Sequence, residues 1–375
     1  MSMNKSKYLK SVNDMIYLIY CVINNHIPDT DKINNINPEN LYLISKNHML
    51  TAITAVALES AGLKFENFTQ AKGKACRKNA TLDIERAALF KYFDSENIWY
   101  VPLKGAVLKD YYPEFGMREM SDNDILFDSS YREQAKKYFE TNGYETKKYG
   151  SSNHDIYLKK PVSNFEMHVE LFEESYAEKY PEIREYYKNV QKRLIKNDTG
   201  SGCHFSNEDF YIYIITHAYK HYSIGGTGLR SLLDIYVFMK KFGDTLKTEY
   251  IETELQKMKI AEYERSSRRL AMNLFGKNKL ADEDREMFEY IVFSGAYGTK
   301  EHIVKNRMDR FNGSKLRYVF YKIFPPVSKL KKRYPVFFKH KILLPFLPFY
   351  RLFRAFTVKR ERAKTEIKLL LKYKS

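Results

Sequence analysis

The chain has 375 residues and a formal net charge of +17, with 44% hydrophobic and 29% charged residues. That apolar content can bury a core across two or three domains, and it excludes wholesale disorder. The three cysteines, Cys21, Cys76 and Cys203, lack CxxC spacing, which excludes a disulfide framework or a zinc knuckle and fits a reducing, cytoplasmic setting.

The N-terminal region, residues 1–95, reads as helical. Lys5, Lys7 and Lys10 precede a short apolar run from Met15 to Ile23. Asn13 and Asp14 lie just ahead of it and no small-residue cleavage site follows, so an amphipathic helix is expected, not a signal peptide. No run approaches the roughly 18 apolar residues of a membrane span. Helical spacing over residues 41–61, with Pro38 before and Gly62 after, predicts one helix. Residues 82–93 predict another, and the polar stretch 72–79 is compatible with helix.

The period then changes. Residues 97–103 (NIWYVPL) are aromatic and β-branched and predict a strand. Gly105 opens a short helical pattern that stops near Pro113. Residues 124–127 predict a second strand, 131–140 a helix ended by Asn142-Gly143, and 144–149, 155–158 and 165–171 further strands. Residues 96–200 therefore read as one compact α/β core. Helix returns over residues 201–300, with Asn207 as an N-cap, Gly225, Gly226 and Gly228 in a helix–helix connection, and a helix over 229–242. That glycine run lacks the GK[ST] ending of a P-loop.

The informative segment is VPLKGAVLKDYYPEFGMREMSDNDILFD, residues 101–128. Asp122 and Asp124 stand at i and i+2 at the entry to an apolar strand. Alternation puts both carboxylates on one face, and two such groups repel unless a cation sits between them. Mg²⁺, or Mn²⁺ in its place, takes one or two carboxylates plus substrate phosphates, and paired ions clamp the two oxygens of an in-line displacement at phosphorus. Upstream, a strand runs into Lys104-Gly105 and a helix start, a natural phosphate site, with Lys104 and Arg118 as added positive charge. On residues 165–170 (FEMHVE), Glu166, His168 and Glu170 share a face. Glu166 is the candidate third ligand and base for an acceptor hydroxyl. His168 is the candidate to orient a carboxylate or touch a phosphate. A lone DxD is most often a solvated loop, and a charged strand face an ordinary edge; the combination is rarer.

These pieces, Leu103-Lys104-Gly105-Ala106, Tyr112-Pro113, Arg118, Asp122-Asn123-Asp124-Ile125-Leu126 and Glu166-Met167-His168, resemble the uncharacterised bacterial nucleotidyltransferase family of the polymerase-β-like superfamily. The helix with His217 and His221, then Arg230 and Asp234, also looks like the family's helical part, so the resemblance spans roughly residues 40–300. It implies an α+β chain with a minimal nucleotidyltransferase fold, a small mixed sheet flanked by helices, with helical regions before and after. It also implies Mg²⁺ and a nucleoside triphosphate. Broader superfamily members carry Gly-Gly or Gly-Ser at the first helix turn; Ala106 lacks a hydroxyl, which leaves backbone amides to hold the phosphate. His217, His221 and Arg230 are candidates beside the cleft. The two histidines lack the Glu of HExxH, and the plainer readings are packing for them and an i,i+4 pair for Arg230 and Asp234.

The charge is confined to the C-terminal fifth. Residues 301–375 hold 21 Lys and Arg against 4 Asp and Glu, and the other 300 residues carry 42 of each sign. Residues 314–375 interleave those cations with Phe, Tyr and Leu. Such a segment suits stacking on single-stranded RNA or lying on an anionic membrane surface, at the inner face; a helical extension with a solvated basic face is the plain alternative. The run LLPFLP leans towards the membrane. Three functions follow: nucleotidyl transfer to an unknown hydroxyl or phosphate acceptor with pyrophosphate release, a non-catalytic relative that docks through its tail, or a toxin-like enzyme that modifies tRNA or protein.

Overall fold

The computed structural model describes residues 4–177, 179–276, 278–309, 311–325, 327–358 and 360–372. Of the basic aromatic extension expected over residues 301–375, residues 310, 326, 359 and 373–375 lie outside them. The described chain forms two compact units, one built from residues up to Tyr219 and Gly228–Val292, the other from Lys220–Thr227 and the segment beginning at Phe293.

The first unit opens with the helix Lys5–Ile23, whose Val12, Met15, Leu18 and Ile19 are fully buried at helical spacing. The single helix expected over residues 41–61 is two, Pro38–His48 and Thr51–Ser60. Met49 breaks it by adopting a left-handed backbone (φ 55°), and its amide and that of Leu50 close on the carbonyls of Lys46 and Ser45. The polar stretch and residues 82–93 join into one 30-residue helix, Glu66–Ser95.

A five-stranded mixed sheet follows, in the order β1-β2-β5-β4-β3. Its strands are β1 Tyr100–Pro102, β2 Asn123–Phe127, β3 Glu145–Lys148, β4 His154–Lys159 and β5 Ser163–His168. The pairing of β2 with β5 is parallel and the others are antiparallel. The helix Arg132–Thr141 fills the crossover. One sheet face buries Phe127, Tyr157, Phe165 and Met167 with Phe93 and Phe139; the Phe139 and Tyr157 rings stack at 4.2 Å. The opposite face carries the polar residues of β5. A two-stranded ribbon, β6 Leu194–Lys196 and β7 Cys203–Phe205, precedes the helices Asn207–Ile224, Leu229–Phe242 and Ala261–Phe275. This is the mixed α+β architecture expected, a small sheet with flanking helices.

The second unit has its own small core of Val304, Met308 and Tyr318, packed by Phe311, Leu369 and Leu370. Glu366 accepts from Lys322 at 2.7 Å and from the Tyr318 hydroxyl. Arg351 donates to the carbonyls of Lys322 and Ile323 at 2.8 and 2.6 Å, closing the end of the helix Lys315–Ile323. The helix Leu347–Phe356 leaves Phe349, Phe353 and Phe356 exposed at i, i+4 and i+7. Among the described residues no helix is long and apolar enough to cross a membrane.

Candidate metal and nucleotide site

The register of β2 and β5 builds the site. Asp124 lies opposite Glu166 across the parallel pair, and Leu126 opposite His168. Registered partners on neighbouring strands project to the same face, so Asp124 and Glu166 stand side by side. Asp122, two residues back, adds the third carboxylate. Asn123, between the aspartates, is turned to the rear. Its amide donates to the Leu82 carbonyl at 2.9 Å and its oxygen accepts from Arg86 at 2.9 Å, which pins the strand to the long helix Glu66–Ser95.

The electrostatics follow from this crowding. Burial, then the charges of Asp124 and Glu166, push the Asp122 carboxyl up to about 7. Asp124 is buried too, but Lys104 and His168 outweigh that and hold it well below the usual carboxylate range. Lys104 Nζ sits 2.5 Å from Asp124 Oδ1 and His168 Nε2 2.8 Å from the same oxygen. Burial lowers the Lys104 ammonium, yet the carboxylates of Asp124 and Asp122 raise it overall. Its backbone, at φ 47° and ψ −119°, is unusual for a side-chain-bearing residue, a strain of about 1–3 kcal/mol of the kind functional sites hold. Asp122, whose proton affinity the charges of Asp124 and Glu166 raise, completes with them a donor set that a divalent cation fits.

Several candidates sit where the sequence reading did not put them. Arg118 is buried and bidentate on Asp234, at 2.8 and 2.9 Å, and the Tyr112 hydroxyl donates to the same carboxylate at 2.8 Å. Its guanidinium is a strut between segments, not an arm towards a triphosphate, and Asp234 is spent on it. Gly105 opens a helix of only four residues, too short for an appreciable dipole. Its missing side chain makes room for protein: a Cβ there would meet Arg118 Nη1 at 2.3 Å and Met120 Sδ at 2.6 Å. Ala106 packs its methyl with Leu82 and Met120, and its amide donates to the Leu103 carbonyl at 3.1 Å. At this turn Gly105 and Ala106 are thus fitted closely against Arg118, Met120 and Leu82. Glu170 lies beyond the end of β5 and is exposed.

Arg230 donates to the Glu119 carbonyl at 3.1 Å, and its charge acts on Asp122. The phenol of Tyr213, buried on the helix Asn207–Ile224, feels the charges of Asp124 and Glu166. His217, one turn on, has its ring 6.2 Å from that of Tyr213. His221 is exposed and falls in the second unit, where its carbonyl accepts the amides of Gly225 and Gly226.

Two site residues escaped the sequence. Lys78, half-buried on the Glu66–Ser95 helix, has its ammonium lowered by burial against the pull of Asp122, with Lys74 one turn away acting on it. The i,i+4 lysine pair in the polar stretch 72–79 was the available signal. His154 lies opposite His168 across β4 and β5, with Nε2 3.8 Å from Glu166 Oε2. Nothing local in the sequence marks it.

A small mixed sheet that brings carboxylates from neighbouring strands to one face, backed by helices, is the architecture of a nucleotidyltransferase. The chain belongs to the family described as uncharacterised nucleotidyltransferases, whose model matches residues 34–276. A solved antigenic nucleotidyltransferase-like protein from Paracoccidioides brasiliensis is similar at 16% identity, over 56% of this chain and 96% of that one, with a TM-score of 0.33. No curated protein matches the chain significantly.

Proposed function

We propose that the chain is a polymerase-β-like, Mg²⁺-dependent nucleotidyltransferase, which moves a nucleoside monophosphate from a nucleoside triphosphate to a hydroxyl or phosphate acceptor. The observation that carries this reading is the register of Asp124 with Glu166, with Asp122 two residues away and near enough to feel both charges. Asp122, Asp124 and Glu166 would hold the cation. When bound, it supplies charge stabilisation for the attacking and leaving oxygens. Glu166, with 24% of its side chain exposed, is placed to accept the acceptor's proton. The acceptor oxygen bonds to the α-phosphorus, the α–β phosphoanhydride bond breaks, and pyrophosphate leaves with the electron pair. Lys104, Lys78 and Arg230 supply positive charge towards the triphosphate, His168 holds Asp124 in place, and His217 flanks the acceptor side. His221 receives no role.

The test is pyrophosphate release from mixed nucleoside triphosphates with cell lysate as acceptor source. Asp124→Asn should lose about a thousandfold in rate, the scale on which removing a preorganised charge acts. Undiminished release by the folded variant would discard the assignment. A second role is favoured by the exposed aromatic row at Phe349, Phe353 and Phe356 beside Arg354: the tail anchors the enzyme to an anionic membrane surface. An RNA or protein acceptor, as in a toxin-like enzyme, uses the same chemistry and would appear as label incorporated into polymer.

A further inference from the structure

We infer that His154, Glu166 and His168 form a nitrogen-rich site for a transition-metal dication of the Mn²⁺, Co²⁺ and Zn²⁺ class, distinct in donor chemistry from an all-carboxylate Mg²⁺ site. His154 and His168 are register partners on the antiparallel strands β4 and β5, and Glu166 faces Ile156 two pairs further along. All three side chains therefore stand on the polar face of the sheet. Glu166 Oε2 is 3.8 Å from His154 Nε2 and 3.9 Å from His168 Nε2, and the three donor atoms lie within 4.8 Å of one another. Ligands bonded at about 2.1 Å are about 3.4 Å apart in a tetrahedral shell and at most about 4.2 Å apart. The two separations from Glu166 fall between those values, and the imidazole nitrogens lie within 4.8 Å of each other, so one ion closes the set with side-chain shifts that draw the two rings together.

Imidazole is a poor ligand for Mg²⁺ and a good one for later divalent metals. The two nitrogens therefore bias the ion bound beside Asp124. The shell beyond is already built: Asn153 Oδ1 is 3.1 Å from His154 Nδ1 and fixes that ring with Nε2 towards Glu166. His168 Nε2 presently bonds Asp124 Oδ1 at 2.8 Å. Ligation requires its lone pair, so the imidazole proton transfers to Nδ1 and Asp124 moves into the ion's outer reach. This site shares Glu166 with the proposed catalytic set, but its occupancy needs neither nucleotide nor turnover.

The experiment uses the full-length, chelator-stripped protein without nucleotide. Co²⁺ titration should give visible ligand-field bands that a twentyfold excess of Mg²⁺ does not displace, and Mn²⁺-loaded protein should show imidazole ¹⁴N coupling in pulsed electron paramagnetic resonance. His154→Gln should weaken Co²⁺ binding at least tenfold and reduce the ¹⁴N coupling. His154→Asn is the second variant, and circular dichroism identifies which of the two is folded. Asp122→Asn should lose nucleotidyl transfer yet retain the ¹⁴N coupling, which separates failure of this inference from failure of the catalytic reading. Wild-type protein without ¹⁴N coupling, or a folded His154 variant that binds Co²⁺ as tightly as wild type, would overturn it.

Discussion

Lys104 places its ammonium 2.5 Å from Asp124 Oδ1 in a site where both side chains are largely shielded. The lysine neutralises the carboxylate where the proposed cation would bind. Removing one partner of a buried pair leaves the other charge uncompensated, at about 3–5 kcal/mol. Metal-free Lys104→Met should therefore be about 3 kcal/mol less stable than wild type. Mg²⁺ should then stabilise it more than it stabilises wild type, since an added cation replaces the lost charge. Thermal melts with chelator and with Mg²⁺ decide this; equal Mg²⁺ shifts in the two proteins would remove Lys104 from the site's charge balance.

Asp122 gives an opposite sign. Its folded pKa, about 7, lies above the ordinary 3.8, so the native state holds a proton that the unfolded chain has lost, and stability falls as pH rises between those values. Asp122→Asn has no such term. In chelator, its advantage over wild type should be absent below about pH 4, grow with pH, and level off above about pH 7. Denaturant melts at pH 4, 6 and 8 measure this, and a pH-independent difference would contradict it.

His48 is fully buried and accepts the Leu229 amide at Nδ1, 3.2 Å away. Burial lowers it from 6.5 to about 4. The folded pKa is depressed, so the imidazole is neutral in the native state and must be protonated for unfolding to gain. Stability is complete above pH 6.5 and is lost as pH falls towards 4, by roughly 3 kcal/mol. His48→Gln should flatten the stability profile over that range in urea melts, and an unchanged slope would place the acid sensitivity elsewhere.

Arg118 tests strut against substrate ligand. Arg118→Met should destabilise the protein by about 3–5 kcal/mol by stranding Asp234, and Asp234→Asn in the same background should recover part of that. Gly105→Ala should cost about 1–3 kcal/mol by crowding the same guanidinium. If Arg118→Met keeps its stability but raises KM for the nucleotide, the arginine serves the substrate after all.

The tail prediction concerns Phe349 and Phe353. Burying one such ring is worth about 1.5–3 kcal/mol, so Phe349→Ser with Phe353→Ser should weaken co-sedimentation with phosphatidylserine vesicles by at least tenfold. Neutral phosphatidylcholine vesicles should bind little, because the attraction to the basic segment is electrostatic. Tight binding to single-stranded RNA with none to vesicles would transfer the tail to nucleic acid.

The carboxylates were legible because strand alternation is a local rule: Asp122 and Asp124 two apart, and Glu166 in a strand whose Phe165 and Met167 had to face the core. Longer-range facts were not. His154 joins the site only through the β4–β5 register, and no local pattern encodes which residue of a distant strand will lie opposite. Arg118 was misread for a related reason, since sequence shows a charge but not its partner, and Asp234 lies 116 residues away. Gly105 and Ala106 match a phosphate-turn pattern, but the pattern does not announce that the same turn packs against Arg118, Met120 and Leu82. The break at Met49 was hidden because a left-handed backbone normally announces itself with glycine or asparagine.

Asn123 has a wider meaning than its two hydrogen bonds. The residue between the aspartates points away from them and is riveted to Leu82 and Arg86 from behind. The acidic pair thus inherits the stiffness of a 30-residue rod, and its spacing is governed from the far side of the sheet. On the proposed cation role, mutations along residues 82–86 would be expected to loosen the grip on the ion before they unfold the chain.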